Sequence, residues 1–378
     1  MKINLNQTTA IKSTFLYKSR NQSESKNKAN IYGATDNSVA PLYTMPNFYG
    51  KDPHAEFLMS QVNKLRCAYS DKLLLAPDLA KEIFQKLHKR ANAQSAINLL
   101  QGHVKYMHDI EAIMFDIFKD AEHKNKRDFQ DILIEEAPEA LERLKVKQTR
   151  ILNSGNKIIE TLDNDLAEKV RAIRDEALVK IENDTFGRKS PLEKLFALTA
   201  NGKDIDKLMK IYYRWHKLPS SSRDIDAFIV KYSKQSHENI AKRLLSTSIA
   251  TIEHIIPQSR GGADSLSNYI LVSAEYNNNR NSMPLDMYIQ LTTDVDIASN
   301  LQKYLNRTIF EINNPKSAFR QKAAYPEMIA KTIRRETKGQ LNLDTSLLHV
   351  PESVAKQDEI ITQKLADRFR IKNSEDKV

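Results

Sequence analysis

Nine glycines in a chain of 378 residues constrain the fold more than any other feature of this sequence. Average usage is about three times higher, and glycine supplies the left-handed and sharply turned backbone that phosphate-cradling loops require. Doubly wound nucleotide-binding sheets need several glycines at such turns, so a mainly α-helical architecture is expected. Two of the nine stand side by side, Gly261-Gly262, and nowhere else does the chain place glycines together. A glycine-poor chain that does this needs a positive φ or a close backbone approach at that point.

Other features exclude whole classes of protein. The single cysteine, Cys67, rules out an intrachain disulfide scaffold and a cysteine-based zinc cluster. No run approaches ~18 consecutive apolar residues, and Met1-Lys2-Ile3-Asn4-Leu5-Asn6 lacks the apolar core of a secretory signal. A cytoplasmic protein with no membrane partner is expected, with export as an effector lacking a conventional signal peptide as the other reading. Lys+Arg number 58 against 48 Asp+Glu, a formal net charge of +10. Lys-rich helices give many proteins such a charge, so it points to a polyanionic partner only when joined to a site.

Residues 1–50, rich in Asn, Ser, Thr and Lys, have no sustained apolar period and read as a flexible polar arm. From about residue 79 the spacing of apolar residues turns helical. Ile97, Leu100, Val104, Met107, Ile110, Met114 and Ile117 recur every three or four residues, which predicts one face of a helix about five turns long. Ile159, Leu162, Leu166, Val170, Ile173, Ala177 and Ile181 repeat the pattern. Upstream of them, Pro138 within Glu135-Glu136-Ala137-Pro138-Glu139 reads as a first helical turn, where proline is tolerated and negative charge suits the dipole.

Gly155 is expected at a break between helices, Ser190-Pro191 at another start, and Ser222 as the cap before Ile225, Phe228, Ile229 and Tyr232. Tyr212, Tyr213 and Trp215 lie on a helical period and read as packing residues. His103 and His108 are five apart, wrong for a shared helical metal face, and are expected to face solvent. Helical signal returns after residue 285 and runs into a charged tail from Lys364 to Val378.

One window, from Thr251 to Val272, breaks the helical pattern. Its two short apolar or β-branched runs, Ile252 to Ile256 and Tyr269 to Val272, flank the Gly-Gly loop and predict a β-hairpin. The residues from Ser273 to Asn281 can open a helix that ends before Pro284. Within this window a carboxylate stands beside a histidine, Glu253-His254, followed by Asn268 and an amide-rich helix. His254, with an ordinary pKa near 6.5, suits a general base while neutral. Glu253 and the Asn277 amide oxygen are hard donors suited to Mg²⁺. Hydrolysis of a phosphodiester needs such a base and such a cation. Neighbours on an ideal pleat point to opposite sides, so Glu253 and His254 can serve one site only at a distortion or strand end.

These residues carry a family likeness. Glu253-His254-Ile255-Ile256-Pro257, Ser259-Arg260-Gly261-Gly262, Asp264-Ser265-Leu266-Ser267-Asn268, a hydrophobic strand and then Asn277 resemble the motif of the HNH (ββα-metal) endonucleases in order and spacing. The resemblance implies His254 as general base and Asn268 as the residue holding hairpin and base in place. It also implies Glu253 and Asn277 as ligands of Mg²⁺, with Mn²⁺ satisfying similar donors, and Arg260 and Arg280 as nucleic-acid contacts. Two departures stand out: the family commonly has Asp where this chain has Glu253, and positions that carry zinc-binding thiols in many members, Val272 and Glu275 among them, have none here. A zinc-free version is implied, with no structural zinc.

A second echo lies far upstream. Leu65-Arg66-Cys67-Ala68-Tyr69-Ser70-Asp71-Lys72 is similar to the strand and turn that closely precede the acidic-His strand in this family. The expected order is an arm over 1–50, a first part of the nuclease module over 51–78 and an inserted helical domain over 79–245. The HNH core over 246–290 and a C-terminal helical region over 291–378 follow. A coincidental buried strand is the other reading of the upstream segment.

The combined expectation is a mainly α-helical protein whose ββα-metal module cuts DNA through a His254-activated water, leaving 5′-phosphate and 3′-hydroxyl ends. One site cuts one strand, so a double-strand break requires a homodimer or two nicks. Two alternatives differ in role: a toxin or effector nuclease acting on DNA or RNA, with an immunity or activating partner, and a non-catalytic nucleic-acid-binding scaffold with an inactive HNH fold.

Overall fold

The computed structural model of the chain describes residues 52–89, 92–198 and 202–346. The arm expected over 1–50 and the charged tail from Lys364 lie outside these residues. The described part is mostly helical, with one two-stranded antiparallel sheet. In chain order its helices begin with α1 (Pro53–Ser60), α2 (Pro77–His88), α3 (Ala93–Gln101), α4 (Asp109–Asn125) and α5 (Phe129–Asn153). They continue with α6 (Asn156–Ile159), α7 (Asn164–Glu182), α8 (Lys189–Phe196), α9 (Lys203–Trp215), α10 (Ile225–Tyr232) and α11 (His237–Ser246). Strands β1 (Ala250–His254) and β2 (Tyr269–Ser273) follow, then α12 (Ala274–Arg280), α13 (Leu285–Leu291), α14 (Ile297–Asn313) and α15 (Tyr325–Glu336). Among the described residues no helix is long and apolar enough to cross a membrane.

Two compact units emerge. The described residues of the first are those within Leu73–Ala250 together with Ser273–Glu275; the second takes Asp52–Lys72, Thr251–Val272 and the described residues from Tyr276 onward.

In the first unit α10 packs along α5, while α11 packs against α2 and α4. Ile97, Leu100, Met107 and Met114 all reach its core, but not on one long helix. Gly102 closes α3, a 3₁₀ turn covers Val104–Tyr106, and Met107 is extended before α4 begins at Asp109. Spacing by three or four residues survives such a turn, so periodicity could not reveal the break. Pro138 likewise sits well inside α5, whose cap is Asp128. The carbonyl that a residue at 138 would have bonded belongs to Ile134, which is exposed, so water can take the place of the missing N–H. Asp224, not Ser222, caps α10, accepting from the Ala227 N–H at 3.1 Å. Gly155 does stand at a break, between α5 and α6, and a Cβ there would come within 3.3 Å of the Trp215 indole nitrogen. That nitrogen donates to the Leu152 carbonyl at 3.0 Å in a fully buried setting.

His108 does not face solvent. It is 2% exposed, and its Nδ1 lies 2.5 Å from the Glu275 carboxylate. Burial pushes Glu275 up, but His108, Arg223 and Arg243 together hold its carboxyl below the usual range. The exposure expectation failed because helical spacing describes a continuous helix, and His108 instead caps the turn that leads inward to α4.

A third histidine of this unit gives a measurable pH dependence. Burial, reinforced by Arg188 and Arg223, lowers His216 to about 3. The folded state therefore keeps His216 neutral, whereas the unfolded chain takes up a proton near the ordinary pKa of 6.5. Stability from this group is complete above that value and declines as pH falls toward 3. At pH 5 the loss is about 2 kcal/mol. Urea midpoints at pH 7.5 and 5.0 should show this decline in the parent chain and lack it in His216→Phe; equal declines in both would refute the assignment.

In the second unit, β2 has its outer edge closed by side chains and one backbone contact. Ala68 N–H donates to the Leu271 carbonyl at 2.9 Å, Leu271 N–H to the Tyr304 hydroxyl at 3.2 Å, and the Tyr325 hydroxyl to the Tyr269 carbonyl at 2.9 Å. Unpaired edge groups would otherwise be buried at a cost. The 66–72 turn, with Cys67 buried, is tied by Cys67 N–H to the Lys72 carbonyl at 2.9 Å and by Asn300 Nδ2 to the Tyr69 carbonyl at 2.9 Å.

Candidate active site

β1 brings Glu253 and His254 to its C-terminal end, and the pleat turns them to opposite sides. Glu253 is 3% exposed, whereas the His254 side chain is 23% exposed.

On the accessible side, His254 Nε2 lies 2.8 Å from Asp264 Oδ1, and the Tyr269 ring meets the imidazole edge-on. The same carboxylate oxygen accepts from Gln258 Nε2 at 2.7 Å and from the Tyr269 hydroxyl at 3.1 Å. Hydrogen bonds from His254, Gln258 and Tyr269 hold Asp264 below the usual carboxylate range. Burial and the carboxylates of Asp52 and Asp264 push the Tyr269 hydroxyl well above its ordinary value, so it stays a donor. An ionised Asp264 can only accept, so this contact is made by an Nε2–H of the imidazole.

The loop from Ile256 to Ala263 is folded around Asn268. Its Oδ1 accepts from Ile256 N–H at 2.8 Å, and its Nδ2 donates to the carbonyls of Ile256 and Ala263, both at 3.0 Å. Its own carbonyl accepts from Ile255 N–H at 2.8 Å, so the side chain and carbonyl of Asn268 together hold the backbone that follows His254. The glycine pair serves this fold. Gly261 has φ +82°, and a Cβ at Gly262 would overlap the Ile256 carbonyl oxygen at 1.7 Å.

Asn277 on α12 donates from Nδ2 to Thr251 Oγ1 at 3.1 Å and to the Ile252 carbonyl at 3.2 Å, tying helix to strand. Arg260 is partly exposed and pairs with Glu336. Arg280 is placed differently from the expectation of a phosphate contact. It is fully buried, pairs with Glu253, and donates to the carbonyls of His254 at 2.7 Å and Ile255 at 2.6 Å. It also donates to the Tyr69 hydroxyl at 3.2 Å. Burial outweighs the pull of Arg280 and Tyr69 and raises Glu253 above the usual carboxylate range, to about 7.

The arrangement brings His254 together with Asn268, and Glu253 together with Arg280, but it keeps Glu253 away from the histidine's accessible face. A hard divalent ion needs open oxygen donors. Glu253 has its carboxylate enclosed by a guanidinium and a phenol, and among the described residues no three His, Cys, Asp or Glu side chains are grouped to hold a metal. The donor pair Glu253 and Asn277, as placed, does not fit such an ion, and no step is derived through one. Sequence reasoning passed over Asp264, Gln258, Tyr269 and Tyr69. Asp264 stands within the motif run already quoted, and Tyr69 within the upstream echo.

A histidine at the end of the first strand, a pinned glycine loop, a second strand and a helix make up a ββα module. Residues 234–284 match the family model of HNH endonuclease. No curated protein and no solved structure matches the chain.

Proposed function

We propose that this module hydrolyses phosphodiester bonds of DNA, with His254 as general base. The observation that supports it is the His254–Asp264 pair at the accessible end of β1: in the neutral imidazole, an Nε2–H given to Asp264 leaves Nδ1 as the acceptor. A water molecule gives a proton to Nδ1 as its oxygen bonds phosphorus. The bond to the 3′ oxygen then breaks, leaving a 5′-phosphate and a 3′ oxygen that takes a proton from solvent. Asp264 stabilises the imidazolium formed in the first step. Arg260 and the net charge of +10 support backbone binding that weakens steeply with salt. The insertion of a helical domain over 79–245 into the module is supported by the Ala68 bond to Leu271, since both residues belong to the second unit.

The test is incubation of the purified chain with supercoiled plasmid, single-stranded DNA and RNA, in Mg²⁺, Mn²⁺ and EDTA. Nicked circles, diminishing as salt rises, are expected, and the three ionic conditions read out whether an added ion is required; an intact set of all three substrates under every condition would overturn the proposal.

A further inference from the structure

Behind His254 in the second unit lies a fully buried guanidinium, that of Arg280, with several hydrogen bonds. Arg280 Nη1 and Nη2 reach the carbonyls of His254, the last residue of β1, and of Ile255, the next residue, and both bonds are shorter than 2.8 Å. Those carbonyls set the backbone from which the imidazole hangs. Arg280 sits at the last position of α12, the helix that carries Asn277. Tyr69 and Glu253 both meet Nη1, and the Glu253 carboxylate is the acid paired with the buried guanidinium. Family likeness assigns Glu253 to a metal ion, whereas its carboxylate here is enclosed by its own chain.

We propose that Arg280 is a positioning residue that locks the His254 backbone, and that Glu253 and Tyr69 are its buried partners, with Glu253 acting as a counter-ion and not as an ion ligand. This rests on the reading of His254 as the base. A shift of a few tenths of an ångström in that backbone moves Nδ1 relative to water and phosphorus, and misplacement of this kind costs rate without weakening polynucleotide binding.

The test uses the full chain with Arg280→Lys, Glu253→Gln, and a double variant, Arg280→Met with Glu253→Leu, that removes both buried charges together. Lysine keeps the charge but cannot reach two carbonyls with a planar fork. In each variant kcat for plasmid nicking should fall roughly 10- to 100-fold while KM for plasmid and the Mn²⁺ concentration giving half-maximal rate stay unchanged. The His254 Cε1–H resonance should move in Arg280→Lys, a reading of position that needs no turnover. A tenfold or larger rise in the Mn²⁺ requirement of Glu253→Gln would overturn the inference and return Glu253 to the ion. So would an unmoved His254 resonance, or full kcat in the folded double variant. A parent chain that cuts nothing defeats the nuclease reading alone, and the resonance then decides the positioning role by itself.

Discussion

Replacing His254 by alanine is expected to lower the nicking rate by roughly 10²- to 10⁴-fold, the contribution of a positioned general base, with little change in plasmid binding. The imidazole is partly exposed, and its contacts are one carboxylate and the edge of one ring. Its removal therefore deletes chemistry without opening a core cavity, and thermal stability should stay within about 0.5 kcal/mol of the parent, as for surface changes in general. Asp264→Ala should fall between the two, because Nε2 loses its acceptor and the ring is free to present either nitrogen. Single-turnover nicking rates measured beside filter-binding affinities check this directly. Retention of parental rate by His254→Ala would remove the base from the mechanism.

The second large effect concerns stability. Arg243 is 2% exposed and pairs with Glu111, which is 0% exposed. Its Nε donates to the Tyr232 hydroxyl at 2.9 Å and its Nη2 to the Ser221 carbonyl at 3.1 Å, and the guanidinium lies over the rings of Phe228 and Tyr232. Arg243→Met leaves the Glu111 carboxylate buried without its counter-charge, and the expected loss is about 3–5 kcal/mol. Arg243→Met combined with Glu111→Leu removes both charges and should regain most of that loss, because the penalty comes from the unpaired ion. Urea denaturation of the three chains checks this; a single-variant loss below about 1 kcal/mol would mean that water reaches Glu111 and relieves it.

Several features of the site were legible before any coordinates. The glycine pair announced a close approach, and Gly262 lies where a Cβ would strike the Ile256 carbonyl. The hairpin and following helix were legible because alternation and helical spacing are local signals. Helix boundaries were less so: one apolar period ran across Gly102 and the Val104–Tyr106 turn, and the acidic stretch around Pro138 imitated a helix start. A period records which residues meet a core, and a core accepts them from two helices as readily as from one.

The chain's own order thus determined a mainly helical protein with a ββα segment at 250–280, a histidine at the end of its first strand and an asparagine to hold the loop. Those features depend on residues close together in sequence. Tertiary structure alone decided the partner of each charged group: Asp264 for His254, Glu275 for His108, and Arg280 with Tyr69 for Glu253. A pleat puts Glu253 and His254 on opposite sides in any strand, but which side is buried depends on what packs against it. In this protein that side is filled by Tyr69 from far upstream and by Arg280 from the end of α12, a meeting that no local spacing encodes.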